Sequence, residues 1–236
     1  MGARTAWRVG PGGGRYDEAE ALYRRDLAGS EAALGPGHPA TLTALDNLAG
    51  LLRALGRYDE AEALYRSALA GREAALGPGH QATLASANNL ADLLAAQGRH
   101  GEAEPLCRRA LAGREAVLGA AHPDTLASVT GLAVLLAAQG KWAEAEPLLR
   151  RELAGSEAVL GPGHPTTLTA AQNLASALTS QGRYGEAEPL CRRALAGREA
   201  ALGESHSATL SSVHNLGEVL RAQVRRVAVR ESIPAR

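Results

Sequence analysis

Seven histidines and two cysteines are the residues of this 236-residue chain best suited to metal or nucleophilic chemistry, and five of the histidines are phased. His38, His80, His122, His164 and His206 recur every 42 residues, each three residues ahead of a Thr-Leu pair. A fixed period between ~20 and 50 residues marks a solenoid, in which each copy is one supersecondary unit stacked on its neighbours. With two helices per unit packed ~8 to 10 Å apart, successive histidines fall ~16 to 20 Å apart. Zinc ligands lie ~2 Å from the metal, so no two of these histidines share an ion and no metal site is expected. A helix-start or turn-stabilising role is the reading that remains.

Cys107 and Cys191 occupy the same column two units apart, well beyond the ~7 Å Cα limit for a disulfide. They are expected as free, half-buried, small apolar residues, in keeping with a reducing compartment. The run GPGGG at 10–14 has no preceding strand and no following Gly-Lys-Ser/Thr, so it is read as a disordered lead-in rather than a phosphate loop. No Ser/His/Asp, Cys/His or paired-carboxylate set stands apart from the repeat, and a catalytic site should break its symmetry. Neither an enzymatic activity nor a cofactor is expected.

Composition narrows the class further. Twenty-five basic and 25 acidic side chains give zero net charge, so no single-sign field exists to attract nucleic acid or an anionic membrane. Alanine and leucine dominate the 45% of apolar residues, phenylalanine is absent and aromatics are 3%, which favours closely packed helices. No apolar run approaches the ~18 residues of a membrane span. The N-terminus lacks a core of signal-peptide length, and Ala6 stands where an N-myristoylation motif wants Ser or Thr. A cytosolic or nuclear location is expected, with cytoplasmic as the default.

The elements that position these residues follow from the period. A helix is predicted from Tyr16 to about Leu34, stopped by Gly35-Pro36-Gly37. His38 then sits where an N-cap belongs, and Pro39 takes the first helical position, where its missing N–H is tolerated. The next helix shows Leu42, Leu45, Leu48, Ala49 and Leu52, one apolar face at period 3.6, and ends at Gly56. Its partner runs from Tyr58 to Leu76, so each unit is a helical hairpin with a first helix, A, and a second, B. Alanines recur where the helices must approach: Ala49, Ala91, Ala133 and Ala175 on A, with Gly217 last, and Ala19, Ala61, Ala103, Ala145 and Ala187 on B.

Other columns carry plainer roles. Tyr16, Tyr58, His100, Trp142 and Tyr184 form an aromatic slot at the start of each B helix, read as a ring wedged beside the turn. Glu-Arg pairs from Glu20/Arg24 to Glu188/Arg192 are spaced i,i+4, each contributing ~0.2 to 0.5 kcal/mol, and are read as a solvated outer face. Pro105, Pro147 and Pro189 lie near enough to their helix starts that at most one backbone bond is lost.

The unit N-L-A-x-L-L-x-x-x-G-R-Y-x-E-A-E-x-L-x-R-x-A-L resembles the tetratricopeptide repeat (TPR), and the 42-residue period with its LGPGHPxTL joint looks like the kinesin light chain and nephrocystin-3 variety. That resemblance implies an all-α solenoid, a right-handed superhelix of helical hairpins. The organisation expected is a lead-in at 1–14, an array at 15–224 and a basic tail at 225–236. Within the array lie a half repeat at 15–35, repeats at 36–77, 78–119, 120–161 and 162–203, and a half repeat at 204–224. Asp26 and Glu152 depart from the alanine found at Ala68, Ala110 and Ala194, and Val224 replaces the glycine of the last turn, so the final helix is expected to run on towards Val229.

The resemblance also implies a binding role: an interaction scaffold holding an extended peptide or partner helix in a concave groove made by the A helices. The groove asparagine of the family falls on Asn47, Asn89, Asn173 and Asn215, with Gly131 in the third copy. An amide offers donor and acceptor together, so such a row can satisfy an extended backbone; bonding to a neighbouring helix is the structural alternative. Around the row lie Thr43, Arg53, Asn88, Asp92, Thr130, Val134, Gln172, Ser176, His214 and Arg221. The third copy is the least polar, which points to a central apolar pocket at Gly131 and Val134. Two further readings stand beside the scaffold: a sensing arm of a larger signalling NTPase, and end-to-end self-association through the unpaired end helices.

Overall fold

The computed structural model describes residues 13–231, with side chains for 15–226. Ten helices follow in order: α1 (Gly13–Leu34), α2 (Pro39–Ala54), α3 (Tyr58–Leu76), α4 (Gln81–Ala96), α5 (His100–Leu118), α6 (Pro123–Ala138), α7 (Trp142–Leu160), α8 (Pro165–Ser180), α9 (Tyr184–Leu202) and α10 (Ser207–Glu231). No strand occurs among the described residues, and the fold is all-α of the solenoid class, with α1 to α4 each packing on the next in the first unit and α6 to α10 doing so in the second. The even-numbered helices are the A helices and the odd-numbered ones the B helices. Of the lead-in, Gly13 and Gly14 are helical, and the rest lies outside the described residues.

The chain divides into two compact units, 1–113 and 114–236. The first holds α1 to α4 and most of α5, with a core of Leu42, Leu48, Leu52, Leu84, Leu90 and Leu94 against Ala61, Ala68, Ala103 and Ala110. The second holds the end of α5 and α6 to α10, with Leu126, Leu132, Leu136, Leu168, Leu174 and Leu178 against Ala145, Ala187 and Ala194. Each buried leucine contributes roughly 1.5 to 3 kcal/mol, and a lone hairpin has too few of them to offset its chain entropy.

The B-to-A joint is built the same way each time. A glycine with φ between 83 and 89° closes each B helix (Gly35, Gly77, Gly119, Gly161 and Gly203), a backbone region that side-chain-bearing residues avoid. Three residues later the imidazole Nδ1 of the phased histidine accepts the backbone N–H two residues ahead at 3.1–3.2 Å, from Ala40, Ala82, Asp124, Thr166 and Ala208. The histidines are therefore helix N-caps. Proline is dispensable here: Ala120-Ala121 and Glu204-Ser205 replace Pro-Gly, yet Gly119 and Gly203 keep the same φ. A second glycine column allows close approach. A Cβ on Gly71 would stand 2.4 Å from a Leu42 methyl, and Gly113, Gly155 and Gly197 face Leu84, Leu126 and Leu168 in the same manner.

The A-to-B turn uses Gly56, Gly98, Gly140 and Gly182 at φ 73 to 76°. Val224 occupies that position in the last copy, and α10 continues through it to Glu231. Leu210 is 55% exposed on this helix, whereas its counterparts Leu42, Leu84 and Leu168 are at most 2% exposed beneath their B helices.

The Glu-Arg columns differ from the expected solvated face. The side chains of Glu20, Glu62 and Glu146 are only 15–16% exposed. Each is gripped twice, by the arginine one turn on and by the arginine of the following A-to-B turn: Arg57 to Glu20 at 2.7 Å, Arg99 to Glu62 at 2.6 Å and Arg183 to Glu146 at 2.6 Å. Arg57, Arg99 and Arg183 also pair with Glu60, Glu102 and Glu186, so each turn is tied into a network joining consecutive B helices. Burial alone would raise the Glu62 pKa, but the hydrogen bonds and charges of Arg66 and Arg99 outweigh it and hold the group below the ordinary carboxylate value.

Ala103 is fully buried at a helix-helix approach. Ala103→Leu is expected to destabilise by roughly 1 to 3 kcal/mol through overpacking. Urea denaturation checks this, and an unchanged midpoint would contradict the close packing.

Candidate functional site

Each A helix presents a stripe of exposed and half-buried residues at i, i+4 and i+7 away from the leucine face. In the first unit it carries Thr43, Asn47 and Gly50 on α2, then Ala85, Asn89 and Asp92 on α4. In the second it carries Ala127, Gly131 and Val134 on α6, Thr169, Asn173 and Ser176 on α8, and Ser211, Asn215 and Glu218 on α10. Asn47 is exposed and Asn89, Asn173 and Asn215 are half-buried. Among the described residues no hydrogen bond joins these four amides to a neighbouring helix. Arg53, Val134, Ser176, His214 and Arg221 are also exposed. Arg221 Nη2 donates to Glu218 at 2.5 Å, and Asn88 and Asp92 are engaged within the protein.

Thr130 Oγ1 donates to Leu126 O at 3.0 Å, whereas Thr43 and Gln172 are tied to an arginine column that sequence reasoning missed. Arg72, 7% exposed, donates to the carboxylate of Asp46 and to Ser86, with Thr43 Oγ1 at 3.4 Å. Arg114 donates to Ser128 Oγ at 2.7 Å and Asp124 O at 2.9 Å. Arg198 donates to Ser212 Oγ at 2.7 Å, Thr169 Oγ1 at 3.2 Å and Gln172 Oε1 at 3.5 Å. In each case a guanidinium from the end of a B helix reaches a serine on the following A helix. Gln172 is therefore a buried packing residue, which also accepts from Ser212.

The column is broken at two joints, by Ser30 and Ala44 between α1 and α2 and by Ser156 and Ala170 between α7 and α8. At the second, Ser156 stands where the arginine should be, Ala170 where its serine should be, and Glu152 where Ala68, Ala110 and Ala194 stand. The result is a pocket of about 520 Å³ between α6, α7 and α8, bordered by Leu126, Thr130, Glu152, Ser156, Val159 and Thr169 among others. Glu152 is 3% exposed, and its Oε2 is buried without a partner. Burial pushes its pKa up, and a hydrogen bond with Thr130 opposes this only in part. The apolar pocket expected at Gly131 and Val134 lies instead about one turn towards the start of α6. Glu152 was legible as a departure. The signal that went unread was that three columns change together.

Nucleophilic chemistry finds no support in the thiols. Cys107 and Cys191 are free and buried rather than half-buried, and burial pushes the Cys107 thiol up to about 11. Among the described residues no three His, Cys, Asp or Glu side chains converge as metal ligands, and no helix is long and apolar enough to cross a membrane.

The family model described as tetratricopeptide repeat matches overlapping windows, 13–74, 45–116, 82–155, 125–200 and 170–225. The chain belongs to the tetratricopeptide repeat family. The TPR-like repeats of a Podosopora anserina protein assigned as a kinesin light chain share 30% identity, with 80% of this chain and 90% of that one covered at a TM-score of 0.70. BtubC from P. vanneervenii gives a TM-score of 0.74 at 20% identity, with 94% of each chain covered. YrrB, a TPR protein with an unusual peptide-binding site, gives 0.55 at 17% identity over 85% of this chain and 84% of that one. No curated protein shows a significant match. This TPR chain therefore has the kinesin light chain-like form of the repeat, and its departures from internal symmetry are what mark it individually.

The Glu152→Ala variant installs the residue of the sister repeats. A carboxyl whose folded pKa is raised loses stability as pH climbs through its unfolded value of about 4.3, so the buried acid weakens the fold at neutral pH. The variant is expected to gain roughly 1 to 3 kcal/mol at pH 7 and much less at pH 4. Urea denaturation at the two pH values checks this, and equal differences would refute it.

Proposed function

We propose that this TPR protein is a non-catalytic interaction scaffold whose A-helix faces bind an extended peptide or a partner helix. The TPR fold commonly serves protein and peptide binding, and YrrB shows that a relative of the same fold has a peptide site. The observation that carries the reading is a pair of asparagine amides on the A-helix faces of each unit, Asn47 and Asn89 in the first and Asn173 and Asn215 in the second, with no hydrogen bond among the described residues. A side-chain amide can donate to a ligand carbonyl and accept from a ligand N–H at once, so each pair suits a main chain irrespective of its side chains. Polar neighbours of both signs, such as Arg53 and Asp92, keep the faces nearly neutral, which suits a ligand without a strong net charge.

The test begins with a peptide-display selection against the folded protein, followed by fluorescence anisotropy of a selected peptide. Replacing both Asn89 and Asn173 by Ala is expected to weaken that peptide roughly tenfold or more, at about 1 kcal/mol per lost hydrogen bond. The melting temperature should hardly move. Equal loss of binding and stability would instead make the asparagines structural.

Self-association is a second reading, favoured by the exposure of Leu210 and Val213, 55% and 47%, on α10. Light scattering across a dilution series separates it from a monomer.

A further inference from the structure

We propose that the pocket between α6, α7 and α8 binds the guanidinium group of an arginine side chain supplied in trans, with Glu152 as its anchor. Three sister repeats show what the fold places near this point. Arg72, Arg114 and Arg198 each bring a guanidinium from a B helix to the serine of the following A helix. In the third repeat the arginine and its serine are Ser156 and Ala170, so the chain supplies neither the cation nor its usual acceptor. It supplies a carboxylate instead: Glu152, one turn before Ser156, lines the vacated space. Glu152 is 3% exposed with Oε2 unpartnered, and a buried carboxylate of this kind is compensated best by a charge-assisted pair.

The walls select the ligand. Leu126 and Val159 in the lining can cover the three methylenes of an arginine stem, while Thr130 and Thr169, also in the lining, offer oxygen acceptors. A planar guanidinium carries five donors and matches several acceptors at once, whereas a lysine ammonium is a more strongly hydrated point charge. Burial disfavours the ionised form of Glu152, so a cation, which stabilises that form, should lower the carboxyl's pKa on binding and bind more tightly as pH rises.

The pocket opens on the exposed stripe of α6 and α8, and only the identity of the carrier, an arginine within a bound peptide, rests on the peptide-scaffold reading. A small probe separates the two. Backbone amide shifts of the full-length protein are followed by NMR during titration with n-butylguanidinium, n-butylammonium and the neutral isostere n-butylurea. The expected result is saturable change centred on Thr130, Glu152 and Ser156 with n-butylguanidinium, weaker change with n-butylammonium and none with n-butylurea. Glu152→Gln should weaken the guanidinium probe at least tenfold. Ser156→Arg should abolish it and raise the melting temperature, because the chain then fills its own pocket. Binding of n-butylurea equal to that of n-butylguanidinium, or unchanged binding in either variant, overturns the inference. If n-butylguanidinium binds as expected but no selected peptide binds the A-helix faces, the anchor stands and the peptide reading falls. If selected peptides bind the A-helix faces while n-butylguanidinium does not bind, the reverse holds.

Discussion

The start of each A helix depends on one local arrangement, a glycine held near φ 85° followed three residues later by an imidazole that accepts a backbone N–H. The glycine closes the B helix, and the histidine satisfies one of the donors that a new helix leaves orphaned. Because both groups act within a few residues, the joint needs nothing from the core. It survives at 119–122 and 203–206, where the Pro-Gly pair is absent. With starts and stops set locally, the leucine and alanine columns meet in the same register in each repeat, and stacking supplies the burial that a single hairpin lacks.

Polar side chains then do two separate jobs. On the B-helix side, glutamates such as Glu62 are shared between an arginine of their own helix and one from the next turn, which joins neighbours along the array. Exposed pairs are individually weak, but a carboxylate held at both ends and largely shielded from water is worth more than the isolated i,i+4 pair it resembles. On the A-helix side, the arginine column uses up several groups that would otherwise face a ligand, including Thr43, Asp46 and Gln172. The asparagines escape this because they lie one residue further along each helix, on the exposed stripe.

How much of this was legible follows from the range of each interaction. The joints, the helix limits and the leucine columns rest on contacts within one or two turns, so periodicity and capping chemistry were enough to read them, down to the run-on of α10 through Val224. The pairing of Arg99 with Glu62 spans 37 residues, and that of Arg72 with Ser86 spans 14 across a joint. Neither spacing is helical, so a reading by helical neighbours saw half of the first network and none of the second. Among candidate site residues, the amide row was visible as a column. The pocket was not, because its cause is a correlated loss: Ser156 and Ala170 are unremarkable residues, and they acquire meaning only beside the pairs Arg72/Ser86, Arg114/Ser128 and Arg198/Ser212.

Val224 shows how slight a change alters the architecture. At Gly182 the chain reverses within two residues, and at Val224 it runs straight on, so α10 has 25 residues where the other A helices have 16. At ~1.5 Å per residue the difference is ~14 Å of rod gained in place of a returning helix. A single β-branched side chain at a position that requires positive φ is enough to favour this outcome. The punctuation of such an array thus reaches its core: where the glycine is exchanged the returning helix is not made, and a leucine of the buried column, Leu210, is left facing outward.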